Sequence, residues 1–322
     1  MLIKNYYWLI SLFFMAASCK LQPDADRSYD KFDENKVYKL QVNPSPGSTY
    51  HYEMENKTET KMEVEEKEVN TINQTEVGFN YLVETDSTGN FIFTTTYDKI
   101  KVTTQNGDDK TQADASNAMI SIDPVEKMLG ILKSARIVAT VSPKGEMKNV
   151  SGYKELEDKL MAGFDPTDHY SKSIAQAQWK KVVSDGVIKN TMDQLFKIFP
   201  DSSIHLHDTW KLNSTEGGEI PMNIKTIYTL KAINNDIAIL SSEGIMTSNQ
   251  SSNSVMGYTQ VAANLKGEQK GEFEIETKTG MLISSRITAN IEGNLQVMGR
   301  DIPIAIKSSI KMNGTKSKND SD

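Results

Sequence analysis

Cysteine is almost absent: the 322 residues contain one, Cys19, so no internal disulfide forms and any fold must rest on an ordinary core. Histidine is scarce too, with four residues, His51, His169, His205 and His207. His205 and His207 lie two apart, so on a strand they would share a face and reach a metal together with His51 or Asp208. Zinc sites normally show more ligands at tighter spacing, so the reading assigns no metal. Gly-x-Ser-x-Gly elbows, Walker loops, dinucleotide fingerprints and His-Glu-x-x-His are all missing. The expectation is therefore no catalytic residue, no cofactor and no enzymatic activity. A hydrolase built on paired carboxylates is kept as an alternative, because such pairs leave no spacing signature. Positive charge is in deficit, 36 Lys and Arg against 43 Asp and Glu, which argues against nucleic acid as a partner. Long apolar runs are also lacking, and no stretch is long enough to span a bilayer as a helix.

The one greasy stretch is at the start. Lys4 precedes an apolar run over residues 6–17, too short to span a bilayer, and small residues follow it. Met15-Ala16-Ala17-Ser18-Cys19 resembles the lipobox of bacterial lipoproteins. That resemblance implies a diacylglycerol on the Cys19 sulfur, cleavage before Cys19 and acylation of the new amine. Residues 1–18 are then a signal peptide, and the membrane partner is reached through acyl chains rather than a span. Lys20 after the cysteine, by resemblance to lipoprotein sorting, implies the outer membrane; Asp24 and Asp26 resemble acidic tags for surface export, and the facing side stays open.

Beyond the anchor, residues 19–35 are polar and aperiodic and read as a flexible tether. Residues 36–122 read as a β-rich portion, beginning with Val37, Tyr38, Leu40 and Val42. Residues 79–83 and 91–95 flank Asp86-Ser87-Thr88-Gly89-Asn90 and predict a hairpin. Residues 123–200 change period. Val125, Met128, Leu129 and Leu132 predict a helix from Pro124 capped by Asp123. Ser142-Pro143-Lys144-Gly145 predicts a turn between two short strands. Helix-period residues return at 153–161 and 174–199, the latter carrying Trp179, Val183, Leu195 and Phe199. Residues 201–314 read as antiparallel strands, and 315–322 as a polar tail.

Over 281–297 apolar and polar residues alternate. Ile283, Ile287, Ile291 and Leu295 fall on one parity, Arg286, Asn290, Glu292 and Asn294 on the other. One apolar and one wet face identify antiparallel strands. A strand of that length must bend, and Gly293 is the expected bulge.

The fold class expected is α+β, predominantly antiparallel β: two β-rich portions of long bent strands joined by a helical middle, as a half-barrel or sandwich. Together with the lipobox, Val141-Ser142-Pro143-Lys144-Gly145, Asp208-Thr209-Trp210 and the run from Gly271 to Gly280 resemble an uncharacterised family of exported Bacteroidota-type lipoproteins with no assigned activity. The resemblance implies a non-enzymatic, membrane-anchored envelope lipoprotein, binding or structural. The alternative is a carrier of a lipophilic ligand in a β half-barrel, with Ile283, Ile287, Ile291 and Leu295 lining it.

Overall fold

The computed structural model describes residues 36–64, 66–162, 196–216, 220–248, 254–256, 259–297 and 299–317. The leader, Cys19, the tether, His169 and the helical expectation over 174–195 lie outside the described residues.

Among the described residues thirteen strands form one antiparallel sheet. The N-terminal portion supplies β1 (Thr49–Val64), β2 (Lys67–Thr85), β3 (Phe91–Asn106) and the short β4 (Asp109–Asp114). Helix α1 (Pro124–Lys133) follows, then β5 (Arg136–Val141), β6 (Met147–Ser151) and α2 (Tyr153–Ala162). The C-terminal portion supplies β7 (Thr209–Glu216), β8 (Met222–Asn234), β9 (Ile237–Ser248), β10 (Ser254–Met256), β11 (Thr259–Glu276), β12 (Leu282–Val297) and β13 (Arg300–Lys316). β13 thus runs two residues into the expected polar tail.

The strand order, β6-β5-β3-β2-β1-β13-β12-β11-β9-β8-β7, is a meander in which β5 follows β3 and β11 follows β9, with β4 paired to β3 and β10 to β11 off this path. Among the described residues β1 and β13 make the long-range pairing, from Tyr50↔Lys316 to Met62↔Ile304, and this joins the two β-rich portions into one sheet.

The turns follow their residues. Asp86 Oδ1 accepts from Thr88 N (2.8 Å) and Asn90 N (3.0 Å), with Gly89 at φ +84° between β2 and β3. Asn235 and Asp236, at φ 47° and 65°, make the doubly left-handed hairpin turn between β8 and β9. α1 starts as its sequence requires, with Asp123 Oδ1 accepting from Val125 N at 2.7 Å.

The sheet is rolled. Phe196 packs on Phe93 of β3 with ring centroids 4.6 Å apart, while the Ile198 carbonyl accepts from Trp210 Nε1 of β7 at 3.0 Å. β3 and β7 are eight steps apart along the sheet, roughly 38 Å if it were flat at about 4.8 Å per strand. Residues 196–198 span at most about 7 Å. Among the described residues the ladder nevertheless stays open, because β6 and β7 do not pair.

Three expectations need correction. First, residues 36–48 are not a sheet strand. Apart from the Tyr38↔Ile204 bridge, this segment bonds to turns, Val42 N to Pro143 O (2.9 Å) and Asn43 N to Thr279 O (2.7 Å), and at its end to Val83 of β2, from Gly47 N (2.7 Å) and to Ser48 O (3.0 Å). Second, Gly293 is no bulge. The ladder passes it in register, Leu265↔Gly293↔Ile304, with φ at +150°; a Cβ there would sit 2.0 Å from the Asn264 carbonyl oxygen. The register shifts lie elsewhere, at Gly78/Phe79 and Glu274/Ile275 among others. Third, His205 and His207 are not on a strand but in the turn before β7, where His207 has φ 69°.

Candidate functional site

Alternation gives each long strand two faces, and their chemistry differs sharply. The outer face carries Glu53, Glu55 and Lys57 on β1, Lys266, Glu268, Lys270 and Glu272 on β11, and Lys307 and Lys311 on β13, all exposed. Opposite charges meet across strands: Lys99 Nζ lies 2.7 Å from Glu76, and that contact holds the Glu76 carboxyl below its usual range. Each of these lysines would cost about 2–4 kcal/mol at a bilayer midplane, so this face belongs in water. Among the described residues no helix is long and apolar enough to cross a membrane.

The inner face has two ends. At one, Tyr52, Phe79, Tyr81, Phe93 and Phe196 form a chain of ring contacts with centroids 4.6–5.5 Å apart. Trp210, Tyr228 and Phe273 continue this chemistry from the other edge of the sheet, at 5.7 and 5.9 Å. Burial pushes the Tyr97 and Tyr228 phenols up to about 12, and raises Tyr52 and Tyr81 as well. Residues 196–204 clasp the roll here. Phe196 lies so close under the β5–β6 turn that a Cβ on Gly145 would sit 2.0 Å from its carbonyl oxygen, and Lys144 pairs with Asp201 at 3.8 Å.

At the far end the inner face of β8–β13 is aliphatic. Met222, Ile224, Met246, Leu265, Ile291, Leu295 and Ile306 are at most 5% exposed, and Met62 of β1 packs against them. Ser248 Oγ closes the end of the β9 ladder, donating to Ala263 O and accepting from Leu265 N, both at 2.9 Å. Farther round the roll the inner face turns polar. Thr58, Asn73 and Thr104 stand in one row on β1, β2 and β3, and Thr104 Oγ1 donates to Asn73 Oδ1 at 2.7 Å. Asn56 Oδ1 accepts from Ser308 Oγ at 3.4 Å. Between the clusters, Ser242 Oγ is buried with no hydrogen-bond partner among the described residues.

The four candidate lining residues separate. Ile291 and Leu295 lie in the aliphatic cluster at 2% and 3% exposure. Ile287 is partly buried against the aromatic cluster, and Ile283 is partly buried but belongs to neither. Around 282–288 both faces of β12 are half-buried, so the alternation is clean only in the strand's far half. Sequence reasoning missed the polar wall, although Asn56-x-Thr58-x-Thr60 and Thr71-x-Asn73-x-Thr75 signal it at strand period.

The described histidines do not converge. His51 Nδ1 contacts Asn80 Oδ1 (3.1 Å) and Asp98 Oδ2 (3.3 Å) on the outer face, and His205 Nδ1 lies 3.4 Å from Asp208 Oδ2 in its turn. Among the described residues no three His, Cys, Asp or Glu side chains are grouped to hold a metal ion. Two open recesses lie on the outer face. The larger of the two, about 720 Å³, is lined by Lys61, Met62, Glu63, Lys266, Glu292, Pro303 and neighbours, a mixture of charged and apolar side chains.

Comparison with known proteins gives a family and a fold. Residues 88–282, more than half of the chain, match a family described as a family of unknown function, DUF6263. No curated protein matches the chain. Among solved structures, lipovitellin, from a study of its lipid–protein interactions, superposes with TM-score 0.50 at 9% identity, over 86% of this chain and 26% of lipovitellin. The chain thus spans about a quarter of that protein's length. An outer membrane channel from Pseudomonas putida is matched over 88% of this chain and 100% of its own, at 7% identity and TM-score 0.23, too low to mark a common fold.

Proposed function

Because the chain belongs to the DUF6263 family, whose function is unknown, we propose its role from its own geometry: a non-enzymatic envelope lipoprotein, anchored through Cys19 in the outer membrane, that binds a lipophilic ligand on the inner face of β8–β13. The observation that carries the reading is the aliphatic inner face of five adjacent strands, continued along the same sheet by a threonine- and asparagine-rich row on β1–β3. A greasy surface with a polar stretch beside it is the pattern of a lipid site. Ser242 Oγ, buried between the clusters with no partner among the described residues, offers a hydrogen bond that a ligand's carbonyl or hydroxyl would complete. The fold likeness to lipovitellin, whose structure concerns lipid–protein interactions, supports the same reading.

These aliphatic side chains are nearly solvent-free, so a ligand reaches them only by parting existing contacts. The break in the ladder between β6 and β7 is where the roll opens at least cost, since no strand hydrogen bonds are lost there.

The test is extraction of the purified chain followed by mass spectrometry, together with Ile291→Asp. The expected result is non-covalent lipid in the wild type, and a folded Ile291→Asp protein that has lost it, because a site that admits ligand admits water to the carboxylate. Absence of lipid, with an Ile291→Asp chain that does not fold, would mean a packed core and sink the carrier reading, since an unpaired buried charge is not tolerated.

A further inference from the structure

Before α1 the chain presents the most exposed large apolar side chains among the described residues. Met119, Ile120 and Ile122 are 98%, 87% and 92% exposed. In a chain one-quarter charged, residues 115–122 hold no charged side chain at all. The loop is nevertheless built. Its backbone bonds to itself, with Ala118 N donating to Ala115 O (3.3 Å), Ile120 N to Asn117 O (3.0 Å) and Ser121 N to Asn117 O (2.9 Å). From below, Glu126 Oε1 accepts from Asn117 Nδ2 at 2.9 Å and Asp114 N at 3.3 Å. Asp123 N donates to Ser121 Oγ at 3.0 Å, tying the loop to the cap of α1.

We propose that this tip is a membrane-insertion point that seats Met119, Ile120 and Ile122 in the lipid surface to which the chain is tethered. The proposal rests on the anchoring through Cys19. Three features select a lipid surface over a protein partner. The side chains protrude, and a protein would have to offer a matching pocket whereas acyl chains part around any apolar shape. Entry buries no charge, the costliest event at a bilayer. Three backbone N–H groups of the tip, those of Ala118, Ile120 and Ser121, are already bonded within it, which lowers the cost of entering a medium without hydrogen-bonding partners. Because the loop is ordered before contact, little conformational entropy is lost on insertion. The two attachments together would hold the roll in one orientation, with its charged outer face in water.

The experiment uses the full acylated chain in vesicles of phosphatidylethanolamine and phosphatidylglycerol, with Ile120→Cys carrying an environment-sensitive nitrobenzoxadiazole label. Acylation blocks Cys19, so the label goes to position 120 alone. The expected result is emission at shorter wavelength and strong quenching by nitroxide-bearing lipids, with neither effect for the same label at Ser87→Cys in the exposed β2–β3 turn. An unshifted, unquenched label at position 120 overturns the proposal. A shift without nitroxide quenching that grows with protein concentration also overturns it, by assigning the tip to a second copy. Labelling of the wild-type chain itself would show a free Cys19 and defeat the anchoring reading separately. The tip is then judged by the quenching of Ile120→Cys above that wild-type background.

Discussion

The two ends of one rolled sheet are built from different residues and held by different means. At the clasped end, rings of β2 and β3 gather on Phe196 while Trp210, Tyr228 and Phe273 form a second set, and residues 36–48 and 196–204 tie turns that the ladder alone would leave far apart. At the far end the inner face is Ile, Leu and Met, and its described packing comes from β8–β13 and Met62. Large flat rings fill space at fixed angles and make one packing arrangement much better than the rest. Aliphatic chains, methionine above all, repack at small cost. The contrast assigns rigidity to the clasped end and adaptability to the far end, where the proposed ligand binds.

The sharpest way to break that contrast is at the aromatic hub. Phe93 is fully buried, and Phe93→Ala should cost about 3–5 kcal/mol in denaturant unfolding. Alkali provides a second probe. Tyr97 and Tyr228 carry phenols raised to about 12 by burial, so the folded state keeps its protons longer than the unfolded chain. Their contribution is fully present below about pH 10 and is lost as pH rises from there through 12, on the order of 2 kcal/mol for each. Hydrogen exchange should show the clasped end loosening first, since no residue of the aliphatic cluster titrates. Simultaneous loosening of both ends would mean one undivided core.

Leu265→Ala, in the aliphatic cluster at 1% exposure, should cost about 2–3 kcal/mol, the low side of the range for such truncations, because neighbouring Met and Ile side chains can close in. A loss as large as that of Phe93→Ala would remove the assigned adaptability. Gly145→Ala tests the clasp without touching a ring. Its φ of +82° and its approach to the Phe196 carbonyl make any side chain strained, and a loss of about 1–3 kcal/mol in thermal unfolding is expected. The smallest effect belongs to the outer face, where Lys270→Ala should change stability by no more than about 0.5 kcal/mol. A larger loss would show that this face is covered.

How far the chain could be read in advance depended on the range of the interactions. The hairpin at 86–90, the Asp123 cap of α1 and the 142–145 turn were legible because each is settled by neighbours within a few residues. The apolar parity of 281–297 was legible for the same reason, and it holds through Ala289, Ile291 and Leu295. It blurs near Leu282, whose carbonyl accepts from Tyr52 Oη at 3.2 Å, a contact 230 residues away in sequence. The polar wall escaped because Thr and Asn at strand period read as a wet face until the roll turns that face inward.

By itself, then, the sequence determined the class of element at most positions, where the strands turn, which parity of each strand is apolar, and that no disulfide contributes. Period, turn chemistry and composition act locally and need no partner. Only the tertiary structure decided that β1 pairs with β13, that two β-rich portions make one sheet, that Gly293 stays in register, and that residues 36–48 and 196–204 clasp one end. Those outcomes hang on contacts between residues far apart in the chain, where hydrophobic burial rewards any apolar partner and only the closed geometry of the roll selects among them.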